Sequence, residues 1–158
     1  MLTILGGFVS EDGNYSYGAG HVIMPYVIGT IEPNEVPTKW EAVLKSAKTI
    51  VFWGSNPVVT NEIGVGAPTH EGYEVYAKLK DMNAKGKKKI YAVDTYKNDT
   101  IRYLNSDFIG VVPGTDTAMM IGMCHYLYEN KLYDEAFIGK YAVGFNKFKD
   151  YFLGTHDN

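Results

Sequence analysis

Three short apolar runs, each closed by turn-forming or acidic residues, constrain the fold of this chain more than any other feature. Thr49-Ile-Val-Phe-Trp53 is β-branched and aromatic and stops at Gly54-Ser55-Asn56-Pro57. Lys89-Ile-Tyr-Ala-Val93 ends at Asp94, and Asp107-Phe-Ile-Gly-Val-Val112 ends at Pro113-Gly114. Apolar runs of this length without alternation suit strands covered on both faces, as in a parallel sheet. Around them the spacing turns helical. Trp40, Val43, Leu44 and Ala47 share one helix face, and Thr38 with Glu41 fits a capping box at its start. Val75, Leu79 and Met82 mark a helix over residues 73–83, which Gly86 stops. A short crossover then leads to the third strand. The segment from Thr117 to about Asn130 is apolar nearly all round and reads as a buried helix, capped by Thr115 or Asp116. Residues 134–141 make another short helix.

This alternation predicts an α/β fold, three-layered, with a mainly parallel Rossmann-like sheet and right-handed crossovers. Residues 38–158 read as that domain. Residues 1–37 differ, with many glycines and aromatics and three prolines. Gly18 to Pro25 reads as a loop leading into a short apolar segment. Nothing in the stretch would bury a core alone, so it is expected to pack against other domains.

Charge excludes several functions. Fifteen Lys plus Arg against eighteen Asp plus Glu give −3, which argues against a nucleic-acid or anionic-membrane binder. No apolar run reaches the length of a membrane span. Met1 to Gly7 lacks the basic region of a signal peptide. Cys124 is the one cysteine, so neither an internal disulfide nor a thiolate zinc site is available.

In parallel sheets ligands bind beyond the carboxyl ends of the strands. The three loops there are Gly54–Thr60, Asp94–Thr100 and Pro113–Asp116. Gly54 allows close backbone approach, and Ser55 and Asn56 offer uncharged hydrogen bonds, although an Asx-type turn explains the same residues. Asp94 stands where dinucleotide folds hold a ribose diol, or it caps the segment that follows. Asp116 would repel a phosphate at its helix N-terminus. It suits capping, or adjacent N–H donors such as those of guanine. No GxGxxG or Walker motif occurs, and Gly64-Val65-Gly66 is too short to count. Lys87-Lys88-Lys89 reads as a solvated turn. His21, His70, His125 and His156 share no metal spacing, and His125 reads as a core residue. No nucleophile, acid and base cluster together, so no catalytic or metal residue is assigned. On residues alone a cofactor-holding domain, a freestanding nucleotide-binding or regulatory module, and a structural domain all stay open.

Asn14-Tyr-Ser-Tyr-Gly-Ala-Gly-His-Val-Ile-Met-Pro-Tyr-Val-Ile-Gly29 resembles the molybdopterin oxidoreductases of the dimethyl sulfoxide reductase family. The nearest branch is that of the trimethylamine N-oxide and biotin sulfoxide reductases. The likeness runs on through Ile50 to Thr60, Ala92-Val93-Asp94, Pro113 to Met120, Leu132 to Phe145 and Tyr151 to Gly154. Each motif is weak alone; six in register are strong. The resemblance implies an internal fragment of a longer enzyme that removes oxygen from N-oxides or S-oxides. It implies molybdenum held by two molybdopterin guanine dinucleotides (bis-MGD). The lining residues would be Gly54, Ser55, Asn56, Pro57 and Thr60, then Asp94 and Asn98, then Gly114, Thr115 and Asp116. In that branch a serine oxygen usually ligates molybdenum, from a motif that the resemblance would put before Met1. The implied partners are the remaining domains of the same chain and an electron donor such as a c-type cytochrome, with the bacterial periplasm favoured for the parent. The family usually has Asp-Pro after the second strand and a Thr soon after; here Asp94-Thr95 and Asn98 stand instead.

Overall fold

β-Branched and aromatic residues place three strands where the apolar runs lie: β1 Thr49–Trp53, β2 Lys89–Asp94 and β3 Asp107–Gly110. The computed structural model describes residues 3–10, 12–13, 15–32, 38–60 and 71–155. The sheet order is β1-β2-β3 and both pairings are parallel, Trp53 opposite Val93 and Asp94 opposite Gly110. The helices are α1 Gly18–Ile28, α2 Trp40–Ser46, α3 Pro57–Thr60 and α4 Glu71–Ala84. They continue with α5 Asp99–Leu104, α6 Asp116–Glu129, α7 Glu135–Tyr141 and α8 Phe145–Phe152. Strands linked through helices make this an α/β fold with a parallel sheet, as the alternation predicts.

Period-two alternation sends Phe52, Ile90 and Ala92 to one face of the sheet. There they meet Val75, Tyr76 and Leu79 of α4 and Ile101 and Leu104 of α5, with Trp40 and Leu44 of α2 at the margin. Leu79 and Leu104 are fully buried; truncating either to alanine costs about 2–5 kcal/mol. Asn83 ties α4 to the end of α5, its Nδ2 donating to the carbonyls of Leu104 and Asn105 at 3.1 and 2.9 Å.

The far face meets the expectation of strands covered on both sides only in part: Val93, opposite Trp53 and Ile109, is buried there. Val51 is half exposed and Ile109 is exposed there. Apolar composition makes strands fit to be covered, but the described helices of the core stand on the other face. α6 begins on this far side, where its first residue meets Trp53, yet none of its residues is buried. That too corrects the sequence reading. Farther along, the stripe of Cys124, Leu127 and Tyr128 is met by other elements. It shares with Tyr133, Ile138, Phe145, Phe148 and Phe152 the lining of a cavity of about 120 Å³.

Other local expectations shift for identifiable reasons. Gly18–Ile28 is a helix and not a loop, because its breakers lie at its ends. Gly18 and Gly20 fall in the first turn, Pro25 in the last, and Gly29 closes it in the left-handed region at φ 81°. The capping box does not form: α2 starts one residue late, with Lys39 at the N-cap. Glu41 is thereby displaced from the position such a box needs. The crossover between β2 and β3 holds a helix, α5, and Phe145, Phe148 and Phe152 mark one more in α8. Lys88 is buried instead of solvated. Its ammonium donates to the carbonyls of Val43 (3.2 Å) and Ala47, at the end of α2. Among the described residues no helix is long and apolar enough to cross a membrane.

Candidate functional site

The three loops singled out in the sequence leave the same edge of the sheet side by side. The ladder runs one residue past the strands: the Gly54 amide donates to Val93 (2.9 Å) and the Val111 amide to Asp94 (3.0 Å). Gly54 then turns away at φ 56°, a region a side chain strains, and a Cβ there would meet nothing within 4 Å. The glycine is needed for conformation, and it leaves the backbone open to approach.

The first two loops are stitched together by side-chain amides, Asn98 buried and Asn56 half-buried. Asn56 Oδ1 accepts from the amide of Thr100 at 3.0 Å and from its hydroxyl at 2.8 Å. The same Thr100 Oγ1 accepts from the Val58 amide at 3.1 Å. Asn98 donates from Nδ2 to the Ser55 carbonyl (3.1 Å) and to Asp94 Oδ2 (2.7 Å). Its Oδ1 accepts from the Ile101 amide at 3.1 Å, which caps α5. Asn98 is 2% exposed and both its amide donors are engaged, so it holds the loops in place. The capping role considered for Asp94 therefore falls to Asn98. Asp94 Oδ1 instead accepts from the Thr95 amide at 2.6 Å.

The third loop is a tight turn. Pro113 and Gly114 occupy its centre, Gly114 at φ 80°, and the Thr115 amide donates to Val112 at 3.1 Å. These are the features of a type II turn. Thr115 stands at the N-cap of α6 but its hydroxyl donates back to Val112 at 2.7 Å, leaving no side-chain cap. Asp116 does not cap the helix either. Its Oδ1 accepts from the indole Nε1 of Trp53 at 2.7 Å, across 63 residues of chain. The third loop is thereby tied to the first.

Gly54, Ser55, Asn56, Asp94, Asn98 and Asp116 thus belong to one hydrogen-bonded set of loops at this sheet edge. Pro57 and Thr60 follow in α3, and Gly114 and Thr115 form the opposite turn. Gly54, Ser55, Thr60, Gly114 and Thr115 are exposed, while Asp94 and Asp116 are half-buried. Sequence reasoning missed two members. Trp53 had a signal, an indole donor at a strand end that requires an acceptor; Thr100 had none. His125, read as a core residue, lies at the surface with Nδ1 3.5 Å from Glu129. His70, His156 and Gly64–Gly66 lie outside the described residues, as does part of the 1–37 segment. The cleft offers carboxylates, hydroxyls and open backbone, with no histidine or thiol among its described residues. Its chemistry is that of binding and orientation.

Comparison with known proteins agrees with this picture. The sequence model of the molybdopterin oxidoreductase family matches residues 1–151. A trimethylamine-N-oxide reductase of Pasteurella multocida is 42% identical over 97% of this chain, which spans 19% of that protein. A dimethyl sulfoxide/trimethylamine N-oxide reductase of Rhodobacter capsulatus is 40% identical over 100% of this chain and 19% of its own length. A Vibrio parahaemolyticus trimethylamine-N-oxide reductase is 40% identical over 94% of this chain. The chain thus spans about a fifth of the relatives it matches. With a family match over nearly its whole length, this chain belongs to the molybdopterin oxidoreductases.

Proposed function

We propose that the chain is the part of a molybdenum-dependent N-oxide or S-oxide reductase that holds the guanosine end of a molybdopterin guanine dinucleotide. The observation that carries this reading is the tied set of three loops at one sheet edge, with the Asp116 carboxylate held by the Trp53 indole. The donor set fits such a group. Gly54 leaves open backbone, Ser55, Thr60 and Thr115 supply exposed hydroxyls for phosphate, and two carboxylates face N–H or ribose donors. Asn56, Pro57, Asn98 and Gly114 shape the walls. When bound, the cofactor supplies oxygen-atom and two-electron transfer. The residues of this chain bind and orient its nucleotide. The names of the relatives support trimethylamine N-oxide or dimethyl sulfoxide as substrate, with biotin sulfoxide a further member of the class. A c-type cytochrome as electron donor, and a periplasmic parent, rest on the family resemblance alone.

Asp116→Ala in the full-length protein tests the reading. Cofactor retention should weaken by about 1–3 kcal/mol, the size of one lost hydrogen bond to a charged group. Molybdopterin content after purification is compared with the thermal stability of the apoprotein. Lower apo stability with unchanged cofactor content would make Asp116 a structural residue only.

A further inference from the structure

We propose that Trp53 is a positioning residue of this cleft, one that aims the Asp116 carboxylate and so sets how firmly the nucleotide base is held. The inference rests on the reading above and deepens it. Trp53 is the last residue of β1, its backbone fixed by the parallel ladder opposite Val93. Phe52 before it points into the core, so the indole lies on the other face, half-buried. Gly54 after it turns the chain away at φ 56°. The indole N–H is donor only and cannot rearrange to accept. At 2.7 Å from Asp116 Oδ1 it is at the short, charge-assisted end of hydrogen bonding.

Asp116 is the first residue of α6, one past the N-cap, and the N-cap residue Thr115 gives the helix amides no side-chain cap. The bond that orients the Asp116 carboxylate is the one from the indole, on the side of the strand ends. Oδ2 has no hydrogen-bond partner among the described residues. One oxygen is anchored on a rigid element and the other is available, which lowers the ordering needed when a planar base with adjacent N–H donors arrives. Without the indole donor, the carboxylate regains its rotamers and the helix amides compete for it.

The test uses the full-length holoprotein. Trp53 is replaced by Phe and, in a second variant, by 3-benzothienylalanine, which keeps the ring volume and removes only the donor. Asp116→Ala and the double variants complete a cycle. The probes are GMP released by acid hydrolysis, molybdenum content, the rate at which bound cofactor is lost on dilution, and apoprotein melting. Loss of cofactor should be about tenfold faster in either Trp53 variant, as for one charge-assisted bond. In the Asp116→Ala background the same substitution should add nothing. Unchanged loss in the benzothienyl variant overturns the proposal, as does an equal effect in both backgrounds, which would mark packing alone. If Asp116→Ala itself retains cofactor normally, the underlying reading fails first, and the two failures are thereby told apart.

Discussion

Asn98 is the residue whose removal should do most to loosen the cleft while leaving the sheet intact. Asn98→Ala deletes the α5 cap, which is worth roughly 0.5–2 kcal/mol. It also deletes two donors, to Ser55 and Asp94. Both partners lie where water can reach them, Ser55 exposed and Asp94 half-buried, so each lost bond adds only about 0.5–1 kcal/mol. The total is about 2–4 kcal/mol, because the side chain is 2% exposed and leaves a small void as well. Native-state amide exchange reads this locally, without requiring two-state unfolding of a large protein. The amides of Thr100 and Val58, bonded to Asn56 Oδ1 and Thr100 Oγ1, should exchange faster, while Ile90 and Ala92 in β2 hold. Asn98→Asp sharpens the argument. It keeps the capping oxygen but sets a second carboxylate against Asp94 Oδ2, now 2.7 Å from Nδ2. At neutral pH it should be no better than alanine. Its deficit should shrink as pH falls, since protonating either carboxyl restores a donor. An Asn98→Asp protein as stable as the parent at pH 7 would refute the reasoning.

Two further outcomes follow from buried polar groups outside the cleft. Tyr76 is 1% exposed and its hydroxyl has no partner among the described residues, so Tyr76→Phe should leave neutral-pH stability unchanged or raise it by about 1 kcal/mol. Burial holds the Tyr76 phenol above its ordinary value of 10.0. Stability should therefore be intact below the unfolded tyrosine value and fall as pH rises through the raised folded one, because the unfolded chain ionises first; denaturant midpoints between pH 9 and 12 should show a shallower fall in Tyr76→Phe. Lys88→Met keeps the buried stem and removes the ammonium from the Val43 and Ala47 carbonyls. The end of α2 should lose about 1–3 kcal/mol, read as a lower melting temperature, and an unchanged melt would show that water replaces the ammonium there.

The strands were legible because their information is local. Residues 49–53 are β-branched or aromatic between a helix and Gly54, and β1 occupies those five positions. The strand-end loops were legible for the same reason: Gly54, Asp94 and Pro113-Gly114 each end an apolar run, and a parallel sheet puts all three ends on one edge. Burial was less legible. The apolar surface of α6 and of Val51 states what each element is able to cover and not what stands against it, and neither is buried among the described residues. Lys88 went the opposite way, since a lysine in a basic run carries no mark that a helix end lies 41 residues upstream for it to cap. The same limit decides how the cleft had to be read. In sequence, Asp116 and Asp94 each point to a cap or to a ligand contact, and the family resemblance adds Asn98 as a ligand contact. The bonds of the fold add to these readings: Asn98 caps α5 and ties the loops, Asp94 is held by Asn98, and Asp116 is held by Trp53 across 63 residues. Local pattern locates the loops; which side chain in them is left free for a ligand depends on partners that the fold alone brings into reach.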